Sequence, residues 1–470
     1  MSESQSEIPL YLFTYNVNKR AQSPESLGSK LIASLPKQPP KLLVFGFEEL
    51  CSVYESFFPV SSLQHLGSLE TIVLEALSKQ YSEKSLQIET IAKFTHGALG
   101  LFVVGINGEN GKEFATRNHL FGRSSCGFLY SSLKGGCAIR LQFKYSTAEE
   151  WTEFTFADFH LTPKQGKGYL FQRDEDFKYL TRSIEFHGEG AYAEGGTDTN
   201  PASSSITAPY DPNPTELADY QGLFKPDSHV IIMGDLNYRT VVNPFTIYEE
   251  TPSQVKLQLV DAGEQPGVSS SADDPDKAFY HPSIDELALS LANKNGWLRK
   301  LKLKEPKIAF RPTYKFKIGK LDAGNQIYNV DSSHNPSWCD RILFLNTYGG
   351  RGVVKVNRYH KIGGLVESDH QPVFLDVVVP FTAPQPIISQ DGFLTLLQKV
   401  ELDPEFAATD VTPLVEKFQM KIEGRYQYVK YGTVLSDAIL AYLFFFLEYK
   451  VGWLALVLFA LLLVCKAIGL

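Results

Sequence analysis

Short apolar runs recur along the first 380 residues of the chain, and Gly, Asn, Asp or Pro bounds most of them. They are rich in Val, Ile, Leu and Phe, the composition expected of β-strands separated by turns. The runs are "LYLFTYNVN", "KLLVFGFEEL", "ALGLFVVGIN", "CAIRLQFKY", "EFTFADFHL", "HVIIMGDLNY", "DRILFLN" and "VFLDVVVP". Several are apolar on both faces, which predicts strands buried between other layers.

Helical spacing of apolar residues is rarer in the same region. "SIDELALSLANKN" (283–295) has this spacing and opens with Ser283 as a candidate N-cap. "FKYLTRSIEF" is a second predicted helix. Many strands with fewer helices predict a layered α/β protein whose sheets pack together.

Two segments interrupt this pattern. Residues 187–222 are rich in Gly, Ser, Pro and Asp, and we predict a flexible insertion there, because so long a loop is unusual inside a compact domain. Residues 381–436 contain Pro and two candidate amphipathic helices, which predicts a connector. We therefore predict one folded domain over residues 8–380, the connector, and a distinct hydrophobic segment over residues 437–470.

The end of the chain is strongly apolar. Residues 451–470, "VGWLALVLFALLLVCKAIGL", contain a single charged residue, Lys466. At about 1.5 Å per residue, this length can cross a bilayer core of about 30 Å. We predict a C-terminal membrane anchor helix, and two alternatives stay open: a hairpin that dips into one leaflet, and a buried core helix.

Composition and charge narrow the range of partners. The chain has 470 residues, of which 43% are apolar, so it can form a large core. Lys and Arg number 45 against 53 Asp and Glu, and a net charge of −8 disfavours nucleic acid as a partner, because phosphate contacts need a basic face. Five scattered cysteines without a CxxC pattern predict neither a disulfide framework nor a zinc site, and favour a domain that faces the cytosol.

Polar residues that can perform chemistry lie at the ends of the predicted strands. Each alone is a common turn residue. Together they supply carboxylate and amide oxygens, which Mg²⁺ prefers, and two histidines next to carboxylates, which suit proton transfer or charge stabilisation. The residues are Asn16, Glu48, Glu49, Asp158, His160, Asp235, Asn237, Asp340, Arg341, Asp369 and His370.

Two longer motifs carry a resemblance to a known family. "GDLNYR" (234–239) and "NPSWCDRIL" (335–343) resemble the signature motifs of the inositol polyphosphate 5-phosphatases. "TYNVN", "GFEEL", "FADFHL", "RPTYKF" and "SDHQPV" follow in the family's order, so the resemblance covers roughly residues 10–380. It implies the DNase I-like fold of the endonuclease/exonuclease/phosphatase superfamily: a two-sheet β-sandwich flanked by helices, with the active site at one rim.

The resemblance also implies a metal site and a water-activating group. Glu49 would hold Mg²⁺, with Asn16 close to it and Asp369 beside the metal. Asp235 would orient and activate the attacking water, and Asn237 would hold a phosphate oxygen.

Further roles follow from the same resemblance. His370 would stabilise the departing or transferring phosphoryl group, Asp340 would fix its tautomer, and His160 would add a second positive donor. Four residues are expected to bind substrate: Tyr314, Lys315, Arg311 and Arg341.

The chain departs from the family at several positions. Glu48 stands where the family usually has Gln, and Asp158 stands where it usually has Asn. Ser332 and His334 replace a Lys and an Arg that help bind the 4-phosphate in lipid-acting members. Residues 299–320 are strongly basic, which favours a surface for inositol phosphates and anionic membrane.

The expected activity is Mg²⁺-dependent hydrolysis of the 5-phosphate of phosphatidylinositol 4,5-bisphosphate, giving phosphatidylinositol 4-phosphate. The apolar C-terminus resembles that of yeast-type tail-anchored members, which implies the endoplasmic reticulum membrane with the catalytic domain facing the cytosol. Protein partners are not predicted. Two alternatives remain: a membrane-bound sphingomyelinase-like phospholipase C of the same fold, and a catalytically dead tether that binds phosphoinositides.

Overall fold

A computed structural model describes most of the predicted domain and one C-terminal helix. It covers residues 6–82, 85–108, 113–188, 221–242, 244, 280–322, 324–329, 332–389, 394 and 425–448.

Fifteen strands are present in these ranges. They are β1 (Glu7–Asn16), β2 (Leu42–Glu48), β3 (Leu86–His96), β4 (Leu99–Gly108), β5 (Phe114–Ser125), β6 (Gly135–Tyr145), β7 (Thr152–His160), β8 (Glu185–His187), β9 (Ser228–Asp235), β10 (Leu303–Lys304), β11 (Phe316–Asp322), β12 (Asn325–Tyr328), β13 (Asp340–Leu345), β14 (Lys355–Lys361) and β15 (Val373–Pro380).

The strands form two large mixed sheets and a hairpin. The first sheet has the order β14-β15-β1-β2-β4-β3, and the second has the order β10-β13-β9-β7-β6-β5-β8. Each sheet contains one parallel pair, β1 with β2 and β7 with β9, between antiparallel neighbours. Strands β11 and β12 form the separate hairpin.

Six α-helices are present in these ranges, and the first five cover the outer faces of the two sheets. They are α1 (Ser29–Ser34), α2 (Pro59–Gln80), α3 (Lys167–Ser183), α4 (Glu286–Ala292), α5 (Trp297–Lys300) and α6 (Arg425–Glu448). Helices α1 and α2 share a hydrophobic cluster with the first sheet. Helices α3, α4 and α5 share another with the second sheet. A third cluster lies between the two sheets.

Strand β1 shows why these runs are apolar on both faces. Successive side chains of a strand point to opposite sides. Leu10 and Leu12 belong to the cluster between the sheets, whereas Tyr11 and Phe13 belong to the cluster under α1 and α2. All four are buried. The predicted two-sheet sandwich with outer helices agrees with this arrangement.

All eight predicted strands are present, but four further strands of seven or more residues, β3, β5, β11 and β14, were not predicted; β11 is mostly exposed. Strand β14 is largely exposed and strands β3 and β5 carry polar residues on one face, so none of them reads as an apolar run. The helix predicted at 283–295 also begins later than expected. Its N-cap is Asp285, which accepts from the Ala288 backbone N–H, and not Ser283.

The remaining segment predictions fall mostly outside the described residues. These are the greater part of the insertion (189–220), the two candidate connector helices and the apolar stretch 451–470. Helix α6 begins inside the predicted connector and continues to Glu448. Among the helices that the structure describes, none combines the length and apolar character needed to cross a membrane.

Candidate functional site

The two sheets bring their polar strand ends to one rim. In the first sheet, Asn16 of β1 is paired with Glu48 of β2. In the second sheet, Asp235 at the end of β9 is paired with His160 of β7 on one side and with Asp340 of β13 on the other. The Asn16 side-chain amide donates to Asp235 Oδ2 at 3.0 Å and so joins the sheets.

The Asp235 carboxylate lies at the centre of this cluster. Its Oδ2 is 3.4 Å from His160 Nε2 and 3.8 Å from His370 Nε2. Its Oδ1 accepts the Asn237 backbone N–H at 3.1 Å. Burial raises the pKa of Asp235, but His370 and His160 outweigh burial and lower it. Asp235 is therefore a buried but ionised carboxylate, ready to accept a hydrogen bond.

The turn after β9 has a backbone that few residues can adopt. Gly234 has a φ of +133°, and a Cβ there would lie 2.1 Å from the Phe159 carbonyl oxygen. Asn237 has a φ of 56°, in the left-handed region that Asn tolerates better than most residues. Its side-chain amide donates to the Leu161 carbonyl at 3.1 Å, and its Oδ1 accepts from Arg239. These contacts hold Asn237 beside Asp235.

His370 is held by a buried carboxylate. Its Nδ1 lies 3.1 Å from Asp340 Oδ2, which also accepts a hydrogen bond from the Thr313 hydroxyl at 2.6 Å. Burial lowers the pKa of His370, but Asp340 and Asp235 outweigh it and raise the pKa well above its usual value. His370 is therefore a positively charged donor aimed at the centre of the cluster.

Glu49 is an ionised carboxylate with partial access to solvent. Its φ is 51°, and a quarter of its side chain is exposed. Burial raises its pKa, but Lys134, His160 and Lys19 outweigh burial and lower the pKa to about 2. Lys19 Nζ is 3.4 Å from Glu49 Oε2, and His160 Nε2 is 4.0 Å from Oε1.

A second acidic pair lies beneath the rim. Glu48 and Asp158 are fully buried, and Thr14 donates to Glu48 Oε1 at 2.6 Å. The other oxygen of Glu48 and both oxygens of Asp158 have no donor among the described residues. Burial raises the pKa of Glu48 to about 8 and that of Asp158 well above its usual value. Both carboxyl groups are therefore held in the protonated, uncharged form.

The segment around Tyr314 closes the other side of the cluster. Tyr314 forms backbone bridges with both Ser337 and His370. Its ring centroid is 4.6 Å from that of His370, and the Arg239 guanidinium lies 4.4 Å from the Tyr314 ring centroid. Lys315 Nζ is 3.7 Å from Asp369 Oδ2, and both side chains are partly exposed. A cation is thus available at the mouth of the site.

Oxygen ligands at the rim fit a hard cation. One ligand atom each of Asp235, Asp340 and His370 lies within 4.8 Å of the others. His370 is a poor ligand, because Asp340 keeps it protonated and a metal needs neutral imidazole. Glu49 is ionised, supplies oxygen and is partly exposed, which suits an ion such as Mg²⁺. Glu49, with Asn16 on the adjoining strand, is therefore the better candidate.

Comparison with known proteins identifies the family. The family model "Endonuclease/Exonuclease/phosphatase family 2" matches residues 13–376 of this chain. The chain belongs to that family. The match contains every residue of the cluster, so the site described above lies in the part of the chain that the family shares.

Relatives within this family are inositol polyphosphate 5-phosphatases. The polyphosphatidylinositol phosphatase INP53 of Saccharomyces cerevisiae is 24% identical, over 79% of this chain and 26% of its own length. The phosphatidylinositol polyphosphate 5-phosphatase type IV of Mus musculus is 22% identical, over 78% of this chain and 45% of its own length. The chain thus spans less than half of these curated relatives. They confirm the resemblance predicted from the sequence, and they support its prediction of a phosphoric monoester hydrolase.

A solved structure supports the fold. The inositol polyphosphate 5-phosphatase domain of SPsynaptojanin, in complex with inositol (1,4)-bisphosphate and calcium ion, superposes with a TM-score of 0.52. It is 19% identical and covers 79% of this chain and 84% of that domain. The predicted DNase I-like fold is consistent with this superposition.

The structure brings most of the predicted site residues together in one cluster. Gathered at the rim are Asn16, Glu49, His160, Asp235, Asn237, Asp340 and His370, with Tyr314, Lys315 and Asp369 at the mouth. Asp369 is placed against Lys315. Arg311 lies at the start of the Tyr314 segment, before Pro312.

Arg341 does not reach the site, contrary to expectation. Its guanidinium is fully buried and forms paired hydrogen bonds of 2.9 and 2.8 Å with Asp285, with a further bond of 2.8 Å to Glu305. Neighbouring side chains of a strand point to opposite faces, so Asp340 faces the cluster and Arg341 faces away. Its role is to hold β13 against the outer layer.

Lys134 is a site residue that the sequence reasoning missed. Its Nζ contacts the His160 imidazole and lies 3.3 Å from Nδ1. Burial lowers the pKa of Lys134, while Glu49 and Asp235 raise it. The residue precedes β6, where Gly135 pairs with His160. A Lys before two glycines at the start of a predicted strand was the signal that the sequence offered.

Proposed function

We propose that this protein is a Mg²⁺-dependent phosphoinositide 5-phosphatase that converts phosphatidylinositol 4,5-bisphosphate to phosphatidylinositol 4-phosphate. The observation that carries the proposal is the Asp235 carboxylate, which is ionised and held between Asn16, His160 and His370. The names of the relatives, a polyphosphatidylinositol phosphatase and a phosphatidylinositol polyphosphate 5-phosphatase, support the substrate class.

Each residue of the cluster has a step that it can perform. Asp235 accepts a hydrogen bond from a water molecule and orients its oxygen toward phosphorus. As the new P–O bond forms, the bond from phosphorus to the 5-oxygen of the inositol breaks. His370, held charged by Asp340, stabilises the negative charge of the transferring phosphoryl group. Asn237 donates to a phosphate oxygen.

A divalent cation would complete the charge balance. Glu49 and Asn16 would hold the cation, and the bound cation would neutralise part of the negative charge of the phosphate. Lys134 contacts His160, which lies beside Asp235, so its amino group is available on this side of the cluster. Burial and Lys134 lower the pKa of His160, so its imidazole adds no charge there.

Recognition of the 4-phosphate falls to the residues near Tyr314. Lys315 offers a partly exposed ammonium group. The ring centroid of His334 is 6.3 Å from that of Tyr314. Burial, together with Arg239 and Lys315, lowers the pKa of His334, so it supplies a neutral donor where the family usually has a cation. We therefore propose 4-phosphate recognition that depends chiefly on Lys315.

We further propose attachment to the endoplasmic reticulum membrane through residues 451–470, with the catalytic domain facing the cytosol. The support is compositional: twenty residues with one charge. Phosphoinositide headgroups on a cytosolic leaflet would then lie on the same side as the active site.

The decisive experiment measures phosphate release from a panel of phosphoinositides and soluble inositol phosphates, with Mg²⁺ and with chelator. The proposal predicts release from phosphatidylinositol 4,5-bisphosphate, phosphatidylinositol 4-phosphate as the product, and loss of release with chelator. Release of phosphocholine from sphingomyelin instead would indicate a phospholipase C. Binding of phosphoinositide without turnover would indicate a tether.

A further inference from the structure

The loop between β5 and β6 lies at the rim of the site. Residues 126–134 are closed by a hydrogen bond of 2.8 Å from the Cys126 N–H to the Lys134 carbonyl. Leu129 and Tyr130 have φ values of 53° and 60°. Bulky residues rarely adopt this left-handed conformation unless their surroundings enforce it. The loop exposes Phe128 (71%) and Leu129 (60%) at its tip.

Helix α6 is seated on this loop through three polar side chains. The Thr433 hydroxyl donates to the Tyr130 carbonyl at 2.9 Å, and the Ser436 hydroxyl donates to the Leu129 carbonyl at 2.7 Å. Asp437 Oδ1 accepts the Ser132 backbone N–H at 2.9 Å. The three helix residues are three and four positions apart, so they share one face. Since the loop ends at Lys134, α6 rests on the segment that carries a site residue.

The opposite face of α6 is apolar and exposed. Leu435, Ile439, Tyr442 and Leu443 follow the spacing of a single helical face and are 63%, 57%, 73% and 50% exposed. Asp437 is the only charged residue between positions 432 and 445, and it is turned toward the loop. The outward face therefore presents no charge to oppose burial.

Further apolar side chains are exposed on the elements that α6 contacts. Beneath the middle of the helix, the 126–134 loop exposes Phe128 and Leu129. Toward its C-terminus, the Phe445 ring centroid lies 5.6 Å from that of Tyr54, which lies 5.1 Å from that of Phe58. Phe58 is 43% exposed. Together these side chains form an apolar strip, and such a surface indicates a partner that covers it.

We propose that this strip, formed by the outer face of α6, the tip of the 126–134 loop and Phe58, docks on a lipid bilayer and holds the mouth of the active site against it. A lipid surface is the partner that the chain itself indicates, because residues 451–470 follow directly and contain one charge among twenty. An amphipathic helix of this kind lies in the interface with its apolar face roughly 5–10 Å deep. The proposal goes beyond the proposed activity, since docking requires no turnover.

Fluorescence quenching in vesicles tests the docking directly. Tyr442→Trp is made in the full chain with Trp453→Phe, and the protein is reconstituted in phosphatidylcholine vesicles with bromine on the acyl chains. Val353→Trp in the same background is the matched control. Val353 is 72% exposed and precedes β14. Lys355, the first residue of β14, pairs with Val378, which lies at the end of the first sheet away from Asn16. Val353 is therefore exposed but far from the site.

The measured quantity is the emission that each substitution adds to that of the Trp453→Phe parent. Docking predicts that brominated lipid quenches the emission added by Tyr442→Trp and leaves the emission added by Val353→Trp unchanged. Equal quenching of both, or quenching of neither, overturns the proposal. The indole at position 442 could also be shielded from aqueous iodide without being quenched by brominated lipid. That result would indicate a protein partner and would overturn the proposal as well.

A second variant tests whether the loop transmits this docking to the site. The double variant Ser436→Ala/Asp437→Ala removes two of the three contacts between α6 and the loop. Ser68→Ala is the control, because the Ser68 hydroxyl is exposed on α2 and donates to the Gln64 carbonyl. We expect phosphate release from vesicle-borne substrate to fall several-fold relative to release from a short-chain substrate. An unchanged ratio overturns the coupling. If the parent protein releases no phosphate from either substrate, the proposed function fails, while the quenching result still decides the docking.

Discussion

At the scale of single residues, Asp235 is the group on which the site converges. Three side chains from three different strands or loops approach one of its oxygens, and the backbone of Asn237 binds the other. The surrounding positive charge keeps it ionised despite burial. A carboxylate in this state can orient a water molecule at neutral pH.

Asp235→Asn should lower turnover by about 10²–10⁴-fold, the range expected for loss of a general-base or water-orienting group. The amide is nearly isosteric, so far-UV circular dichroism should be unchanged. Asp227→Asn, at an exposed carboxylate 3.4 Å from Arg351, is the control and should keep full turnover. Near-normal phosphate release from the Asp235 variant would exclude this residue from the mechanism.

Asp340→Asn should move the alkaline limb of the pH–rate profile toward neutral pH. Asp340 and Asp235 together raise the pKa of His370 above its usual value, and the charged imidazole is lost as the pH rises through that pKa. Removing one carboxylate lowers the pKa, so activity is lost at a lower pH. The profile of kcat against pH measures the shift. An unmoved alkaline limb would show that His370 charge does not limit the rate.

Glu48→Gln should remove a pH dependence of stability. Because burial raises the pKa of Glu48 to about 8, the folded state keeps a proton that the unfolded chain loses near its ordinary carboxyl pKa. Its contribution to stability is thus complete at low pH and declines as the pH rises toward 8, by up to about 1.4 kcal/mol per pH unit. The amide keeps the acceptor for Thr14 and donates to Asp158. Denaturant unfolding at acidic and mildly alkaline pH should show a flatter profile for the variant, and parallel profiles would contradict the raised pKa of Glu48.

At the scale of elements, strand alternation decides which residues meet. On β13, Asp340 and Arg341 are neighbours in sequence, yet one faces the site and the other the outer layer. The sequence could identify strand ends as the source of the site, because each carries a polar residue after an apolar run. It could not assign a face to Arg341, because that depends on which side of the sheet the cluster occupies.

Arg341→Ala should destabilise the fold by about 3–5 kcal/mol, the cost of leaving buried carboxylates without their partner. Asp285 and Glu305 both bind this guanidinium and are themselves buried or nearly so. Denaturant unfolding measures the loss, and the exposed Arg351→Ala is the control. Normal stability of the variant combined with a raised KM would instead indicate that Arg341 binds substrate.

The limits of sequence reasoning at this scale have physical causes. The central strands were predictable because both of their faces are buried, which requires apolar runs. Strands β3, β5 and β14 have a polar or exposed face and lack that signature. Lys134 reaches His160 because Gly135 pairs with it across β6 and β7, and this register follows from the folded sheet and not from local sequence.

At the scale of the whole molecule, the C-terminal helix and the catalytic domain meet at the rim of the site. The predicted boundary at residue 437 falls within α6, at a residue that binds the 126–134 loop. A cut at that position would remove part of a docked helix. The informative truncations therefore fall before α6 and after it.

Two truncated chains should separate the contributions of α6 and of the segment that follows it. A chain ending at Glu448 keeps the contacts of α6 with the loop, whereas a chain ending at Gly424 loses them. We expect the longer chain to float with phosphatidylcholine vesicles more weakly than the full protein but measurably, because the apolar face of α6 remains. The shorter chain should stay in the aqueous fraction and retain turnover of short-chain substrate if its thermal unfolding remains cooperative.

Vesicle flotation after a high-salt wash, with phosphate release from both substrates, provides the measurement. Tight binding of the chain ending at Gly424 would place the membrane contact on the catalytic domain alone, and no binding by the chain ending at Glu448 would place it entirely after α6.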